Sequence, residues 1–272
     1  MIGALIGDIV GSVYEFNNIH TKQFPFFQPA CLRTDDSIMS LAVAQALLDY
    51  EDSGKSVSLC DLACTYMHKL GRLHPDGGYG GRFYGWLQSD HPQPYNSLGN
   101  GAAMRVSACG FVADTLEEAI ALSEQVTKGT HNHPEGLKGA ACTAACIWLA
   151  RKGKTKEEIR SYIQKHFYDM DFTLEEIRPS FSFNETCMGT VPQAMEMFLE
   201  STDYEDCIRT CISMGGDCDT TAAIAGGVAE AFYGVPKRLA EEGVSYLIED
   251  DLKEIYFRFN ARYPSVLLED KE

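Results

Sequence analysis

Two acidic clusters lie far apart in the chain. One is Thr34-Asp35-Asp36-Ser37, and the other is Gly215-Gly216-Asp217-Cys218-Asp219-Thr220. Each pairs carboxylates with a hydroxyl, and each stands where an apolar helix is expected to begin. If folding brings them together, four carboxylates and two hydroxyls share one pocket. Such a density of negative charge is unfavourable unless protons or cations neutralise it. Oxygen-only donors suit a hard divalent ion, Mg²⁺ or Mn²⁺. Each motif taken alone also fits a helix N-cap, where Thr and Asp are favoured and acids meet the positive helix end. A cap needs one oxygen, however, and each stretch supplies several.

Other residues fit the same kind of site. Asp8, Ser12 and Glu15 fall at i, i+4 and i+7 and form a polar edge on an otherwise apolar helix predicted over 2–16. A buried polar edge needs partners, so this face is a candidate pocket wall. Gly99-Asn100-Gly101 precedes a predicted helix, whose free N–H groups could hold phosphate oxygens; an ordinary glycine turn is the alternative. The run Asp76-Gly77-Gly78-Tyr79-Gly80-Gly81 is a weaker signal of the same type. His131-Asn132-His133-Pro134 could supply a metal pair, a ligand contact or a structural hydrogen bond at a helix start. Tyr79, Phe83, Tyr84 and Trp86 could stack on a purine or pack in the core.

The elements that must position these residues are helical. Apolar periodicity predicts helices over 37–50, 57–70, 187–200, 204–214, 220–233 and 245–260, and one from about Ala102. Thr115…Glu118 and Thr155…Glu158 fit capping boxes, and Pro134 suits the first turn of a helix running to about Arg151. Gly3, Gly7 and Gly11 recur every four residues, a stripe that lets another helix approach closely. Gly226-Gly227 inside a predicted helix costs about 1 kcal/mol per glycine relative to alanine, a cost that close packing would explain. Alternating β patterns are rare and short, and no low-complexity linker divides the chain. The expectation is one all-α domain over residues 1–272.

Composition narrows the function. The 272 residues are 45% hydrophobic, enough for a large core. A formal charge of −16 repels polyanions and argues against bulk nucleic-acid binding. Ten cysteines are scattered, some at i, i+4 (Cys60/Cys64, Cys142/Cys146, Cys207/Cys211) without the grouped spacing of zinc ligands. Reduced, buried thiols in a cytoplasmic protein are expected. Met1 to Phe16 is apolar but too short for a membrane span and carries Asp8 and Glu15. No basic residue precedes it, so no signal peptide is expected.

In combination and order these segments resemble the ADP-ribosylglycohydrolase family. The resemblance spans most of the chain and rests on Gly3-Ala-Leu-Ile-Gly-Asp8 through Glu15, Thr34-Asp-Asp-Ser37 and Gly99-Asn-Gly-Ala-Ala-Met-Arg105. It continues in Thr130-His131-Asn-His-Pro134, Thr190-Val-Pro192 and Gly215-Gly-Asp-Cys-Asp-Thr220. It implies a compact, orthogonal multi-helix fold with two Mg²⁺ ions, Mn²⁺ being an alternative. By the resemblance, Thr34, Asp35, Asp36 and Asp219 would hold one ion. Asp217, Asp219 and Thr220 would hold the other, and Glu15 would lie at or near it. Ser97, Leu98, Gly99, Asn100 and Gly101 match the diphosphate and ribose segment, and His131 matches a pocket-lining histidine. Ser37 stands where many relatives have threonine, and the loop over 17–33 aligns poorly.

The implied reaction is hydrolysis of the glycosidic bond between ADP-ribose and an acceptor, with Glu15 first and Asp35 second for proton transfer, the alternative being that Glu15 is only a metal ligand. The substrate would be an ADP-ribosylated protein or a small ADP-ribose conjugate. Arginine, serine, O-acetyl-ADP-ribose and a modified base all remain open as acceptors. The alternatives are a dinuclear-metal nucleotide phosphohydrolase and a protein that binds ADP-ribose without turnover.

Overall fold

A computed structural model describes residues 1–269 of the chain. In chain order the helices are α1 (Ile2–Gly11), α2 (Asp35–Asp52), α3 (Leu59–Leu73), α4 (Gly81–Gln88), α5 (Gly101–Met104), α6 (Ser107–Val112), α7 (Leu116–Thr127) and α8 (Pro134–Arg151). They continue with α9 (Lys156–His166), α10 (Leu174–Ile177), α11 (Cys187–Glu200), α12 (Tyr204–Met214), α13 (Cys218–Tyr233), α14 (Lys237–Ser245) and α15 (Asp250–Arg262). Two-residue strands, β1 (Val235–Pro236) and β2 (Leu267–Leu268), pair in parallel. The all-α expectation holds.

The core is organised around α1 and α13. Every residue of α1 is buried, and Ile2, Leu5, Ile6, Ile9 and Val10 are fully excluded from solvent. Each such side chain contributes about 1.5–3 kcal/mol relative to leaving it exposed. The glycine stripe explains how α1 packs. A β-carbon at Gly3 would strike the carbonyl of Gly226, at Gly7 that of Ala222, and at Gly11 the α-carbon of Asp219. The two backbones therefore touch directly, and Gly226 in α13 answers Gly3 in α1. Around this seam lie α2, α8, α11 and α12. All ten cysteines are free thiols, eight of them buried.

Local chemistry fixes the helix ends. Thr34, Ser58, Thr115, Thr186 and Asp203 each accept a backbone N–H of the first turn they precede. Thr155 and Glu158 form a complete capping box. At Thr115 the box is incomplete, because Glu118 accepts from Asp114 N rather than from the cap residue.

Three expectations require correction. The helix predicted over 2–16 ends at Gly11, and Ser12 to Asn17 form turns. The helix from about Ala102 breaks after Met104 and resumes at Ser107. Helix α14 fills a stretch without a predicted element, and α15 starts at Asp250 rather than 245.

Candidate active site

The α1–α13 seam sets the first distance that matters. Gly11 lies against Asp219, and Asp8 is one turn earlier on the same helix. Asp8 is fully buried and accepts four hydrogen bonds from the start of α2: Thr34 N at 2.9 Å, Thr34 Oγ1 at 2.5 Å, Ser37 N at 3.1 Å, and Ser37 Oγ. This carboxylate ties α2 to α1 and thereby carries Asp36 to Asp219. Thr220 Oγ1 closes the circuit by donating to Asp36 Oδ2 at 3.3 Å. The two acidic clusters, separated by about 180 residues in the chain, therefore meet.

The second cluster is held from the other side. Gly215 and Gly216 take φ of 78° and 70°, where a side chain is strained, so the chain can turn sharply into α13. Asn18 clips this turn: its Oδ1 accepts from Gly216 N at 2.9 Å and its Nδ2 donates to Gly216 O at 3.0 Å. Asn100 Nδ2 donates to Asp217 Oδ2 at 2.6 Å and to Thr190 Oγ1 at 3.1 Å. Thr190 in turn donates to Asn184 O. Asp217 occupies the N-cap position of α13 but makes no side-chain cap bond, so capping does not account for it.

Two carboxylate groupings result, Asp8/Asp36/Asp219 and Glu15/Asp217/Asp219, each with oxygens within 4.8 Å of one another. Asp219 belongs to both. Either grouping could hold a metal ion, and the donor set is hard oxygen only. Asp36 Oδ1 supports the fit, being buried without a hydrogen-bond partner. Asp8 differs from the rest. Both of its oxygens are already engaged, which suits a residue that orients Thr34 and Ser37.

Electrostatics follow from this crowding. Burial first, then neighbouring carboxylates, hold Asp36 and Asp219 well above the usual range. Burial also raises Asp8 and Asp217 against the hydrogen bonds they accept. Glu15 is pushed up to about 7, by burial and then by Asp217. Asp35 is pushed up to about 7 by burial and Asp8, with Arg105 opposing. Without cations the site must hold protons, and a divalent ion would replace them.

The carboxylates floor a cavity of about 420 Å³. Thr34, Asp35, Asp36, Asp217, Asp219, Thr220 and Glu15 all line it, as do Ser97, Gly99, Asn100, Gly101 and His131. Leu98 does not; its carbonyl accepts from Cys187 N, and its side chain is off the wall. Of the N–H groups that precede α5, two are engaged within the chain. Gly99 N donates to Ser97 Oγ at 3.1 Å and Asn100 N to Glu185 O at 2.7 Å.

The His131-Asn132-His133 stretch divides three ways. His131 faces the cavity with Nδ1 on Thr130 Oγ1, and its pKa is lowered well below the usual value by burial, then by Arg105 and Arg82, so it is neutral. Asn132 accepts from Asn96 N, and His133 caps α8.

The opposite wall was legible only in part: the sequence offered Phe83 and the glycine run at 77–81, but not Arg82 or Tyr95. Arg82 lies over the Tyr95 ring at 4.9 Å, and fully buried Arg105 lies over Phe83 at 5.0 Å. Gly78, Gly80 and Gly81 complete this side. Of the aromatics weighed for purine stacking, Phe83 lines the cavity, Trp86 stacks behind it, and Tyr84 is 45% exposed. Phe16, Phe183 and Glu185 line the mouth; the sequence marks none of them by any local pattern.

Comparison with known proteins gives the family. The sequence profile of the ADP-ribosylglycohydrolase family matches residues 1–261. The ADP-ribosyl-[dinitrogen reductase] glycohydrolase of Rhodospirillum rubrum is 27% identical, over 86% of this chain and 84% of the relative. ADP-ribosylhydrolase ARH3 of Xenopus tropicalis is 24% identical, over 86% of each chain. ADP-ribosylarginine hydrolase Tri1 of Pseudomonas putida (strain GB-1) is 26% identical, over 86% of this chain and 70% of the relative. A solved ADP-ribosylglycohydrolase-related protein complex shares the fold, with a TM-score of 0.70, 21% identity and 97% coverage of both chains. With Asp35, Asp36, Asp217 and Asp219 converging on one cavity and a family match running almost the length of the chain, this protein belongs to the ADP-ribosylglycohydrolases, a family of hydrolases.

Proposed function

We propose that this protein hydrolyses the glycosidic bond between ADP-ribose and an acceptor, a protein side chain such as arginine, at a dinuclear Mg²⁺ centre. The observation that carries the reading is that Asp35, Asp36, Asp217 and Asp219 line one cavity, with Asp219 common to both carboxylate groupings. Relatives named for hydrolysing ADP-ribosyl bonds support it. Thr34, Asp35, Asp36 and Asp219 would hold one ion, and Asp217, Asp219 and Thr220 the other. When bound, the two ions would supply charge neutralisation, a grip on ribose hydroxyls and a lowered pKa for water.

The chain's own residues do the rest. Water adds its oxygen to the anomeric carbon, the bond to the acceptor breaks, and a proton ends on the departing atom. Glu15 is half-buried and lines the cavity beside Asp217 and Asp219, which places it to take a proton from water. Asp35 also lines the cavity and is the second choice. The clustered carboxylates stabilise positive charge as it develops on the sugar ring. Ser97, Gly99, Gly101 and neutral His131 form the wall that receives the diphosphate and its ribose, and Leu98 contributes only backbone. Asn100 acts chiefly by orienting Asp217. The ten unpaired thiols suit a reducing, cytoplasmic setting.

A panel of defined ADP-ribosyl conjugates, assayed with Mg²⁺, Mn²⁺ and chelator, tests the reading. Free ADP-ribose is the expected product, with turnover lost in chelator and in Asp219→Ala. Release of AMP and ribose phosphate would instead identify a phosphohydrolase. ADP-ribose binding without any turnover would identify a binding protein.

A further inference from the structure

The mouth of the cavity carries side chains that the hydrolytic step leaves without a task. Phe16 is 80% exposed and Phe183 is 44% exposed, yet their rings stack with centroids 6.1 Å apart and planes 26° from parallel. Both line the cavity, and so does exposed Glu185. Two large rings held in water forgo the stabilisation that burial would give.

Their backbone supports are not loose. Asn18, two residues after Phe16, binds both polar groups of Gly216. Phe181 and Ser182 pack on the same glycine, within 3.0 and 3.2 Å of where its β-carbon would lie. Glu185 O accepts from Asn100 N, and the Asn100 side chain holds Asp217. The mouth is therefore in register with the carboxylate floor.

Charge is divided between the walls. Arg82 and Arg105 sit with Tyr95 and Phe83 on one wall. Glu15 and Glu185 lie on the other, near Asp217 and Asp219. A cationic group is drawn to the acidic mouth, and a flat cation gains further from an aromatic face. Guanidinium meets both conditions: it is planar, weakly hydrated and able to bind a carboxylate through two N–H groups. A serine-derived acceptor brings no positive charge.

We infer that Phe16, Phe183 and Glu185 form the acceptor subsite and select a guanidinium-bearing acceptor over a hydroxyl-derived one. This rests on the hydrolase reading and assigns its specificity to residues outside the metal and diphosphate sets.

The test uses one peptide sequence carrying ADP-ribose on arginine or on serine, with the Mg²⁺-loaded full chain. Phe16→Ala, Phe183→Ala and Glu185→Gln are compared with the parent, and Kd for free ADP-ribose is measured by calorimetry. KM for the arginine conjugate should rise about fivefold in the Phe variants and about tenfold in Glu185→Gln. KM for the serine conjugate and Kd for free ADP-ribose should each stay within about twofold of the parent, since neither presents a cation to the mouth. Unchanged KM on arginine, or equal losses on both conjugates, would overturn the subsite. A parent that cleaves only the serine conjugate overturns the subsite and keeps the hydrolase reading. A parent that releases ADP-ribose from neither overturns both.

Discussion

The seam between α1 and α13 and the mouth around Phe16 and Phe183 serve the same cavity but are built by opposite rules. At the seam, backbone meets backbone through Gly3, Gly7 and Gly226, and nothing can move without separating the helices. At the mouth, exposed side chains on short loops meet one another and solvent. The carboxylate floor depends on the first arrangement and the choice of acceptor on the second. A site of this kind can change its partner by altering the mouth while the floor stays fixed.

The largest effect should come from the seam. Gly7→Val would drive a side chain into the Ala222 carbonyl. Overpacking usually costs about 1–3 kcal/mol, and here the obstacle is backbone, so a loss of about 3 kcal/mol or more is expected in thermal unfolding. Phe16→Ala, by contrast, should change stability by no more than about 0.5 kcal/mol. Equal stabilities for the two variants would erase the distinction between seam and mouth.

The floor itself should respond to pH and cation. Glu15 and Asp35 rise from 4.5 and 3.8 to about 7 in the folded chain, and Asp36 and Asp219 are also held well above the usual carboxylate range. A raised carboxyl pKa favours folding while the group is protonated. That contribution is complete below the ordinary carboxylate range and is lost as pH climbs through about 7. In chelator, Tm should therefore fall by roughly 5 °C or more between pH 5 and pH 8 from these groups. Added Mg²⁺ should restore it most at the higher pH. A flat profile in chelator would mean that the carboxylates are not crowded in solution.

A smaller effect is expected where floor and mouth join. Asn100→Ala removes the amide that orients Asp217, so Mg²⁺ affinity measured by calorimetry should fall about tenfold, as for other groups that position ligands. Loss of ADP-ribose affinity with unchanged Mg²⁺ affinity would return Asn100 to the diphosphate wall.

Much of the fold was legible because helix ends carry their own chemistry. Helices α11 and α12 run over the residues predicted for them, since Thr186 and Asp203 cap their starts. The end of α1 was misjudged because apolar residues continue past Gly11 into Val13 and Tyr14, which pack in turns. Helix α14 escaped notice because only Leu239, Ala240 and Gly243 of its nine residues are buried. In the site, local motifs marked Asp35, Asp36, Asp217 and Asp219, and the glycine stripe hinted at the seam that unites them. Asp8 stood on a recognised polar edge, but its four donors come from a segment 26–29 residues away. Arg82, Phe183 and Glu185 acquire meaning only from what the fold sets opposite them, so no spacing rule could single them out.

The α1–α13 seam has a further consequence for how the protein comes into being. Its halves lie more than 200 residues apart in sequence, one at Ile2–Gly11 and the other at Cys218–Tyr233. During synthesis the first helix leaves the ribosome long before its mate exists, and must wait with its apolar faces uncovered. No partly made chain can assemble the carboxylate floor, so the site arrives late and all at once.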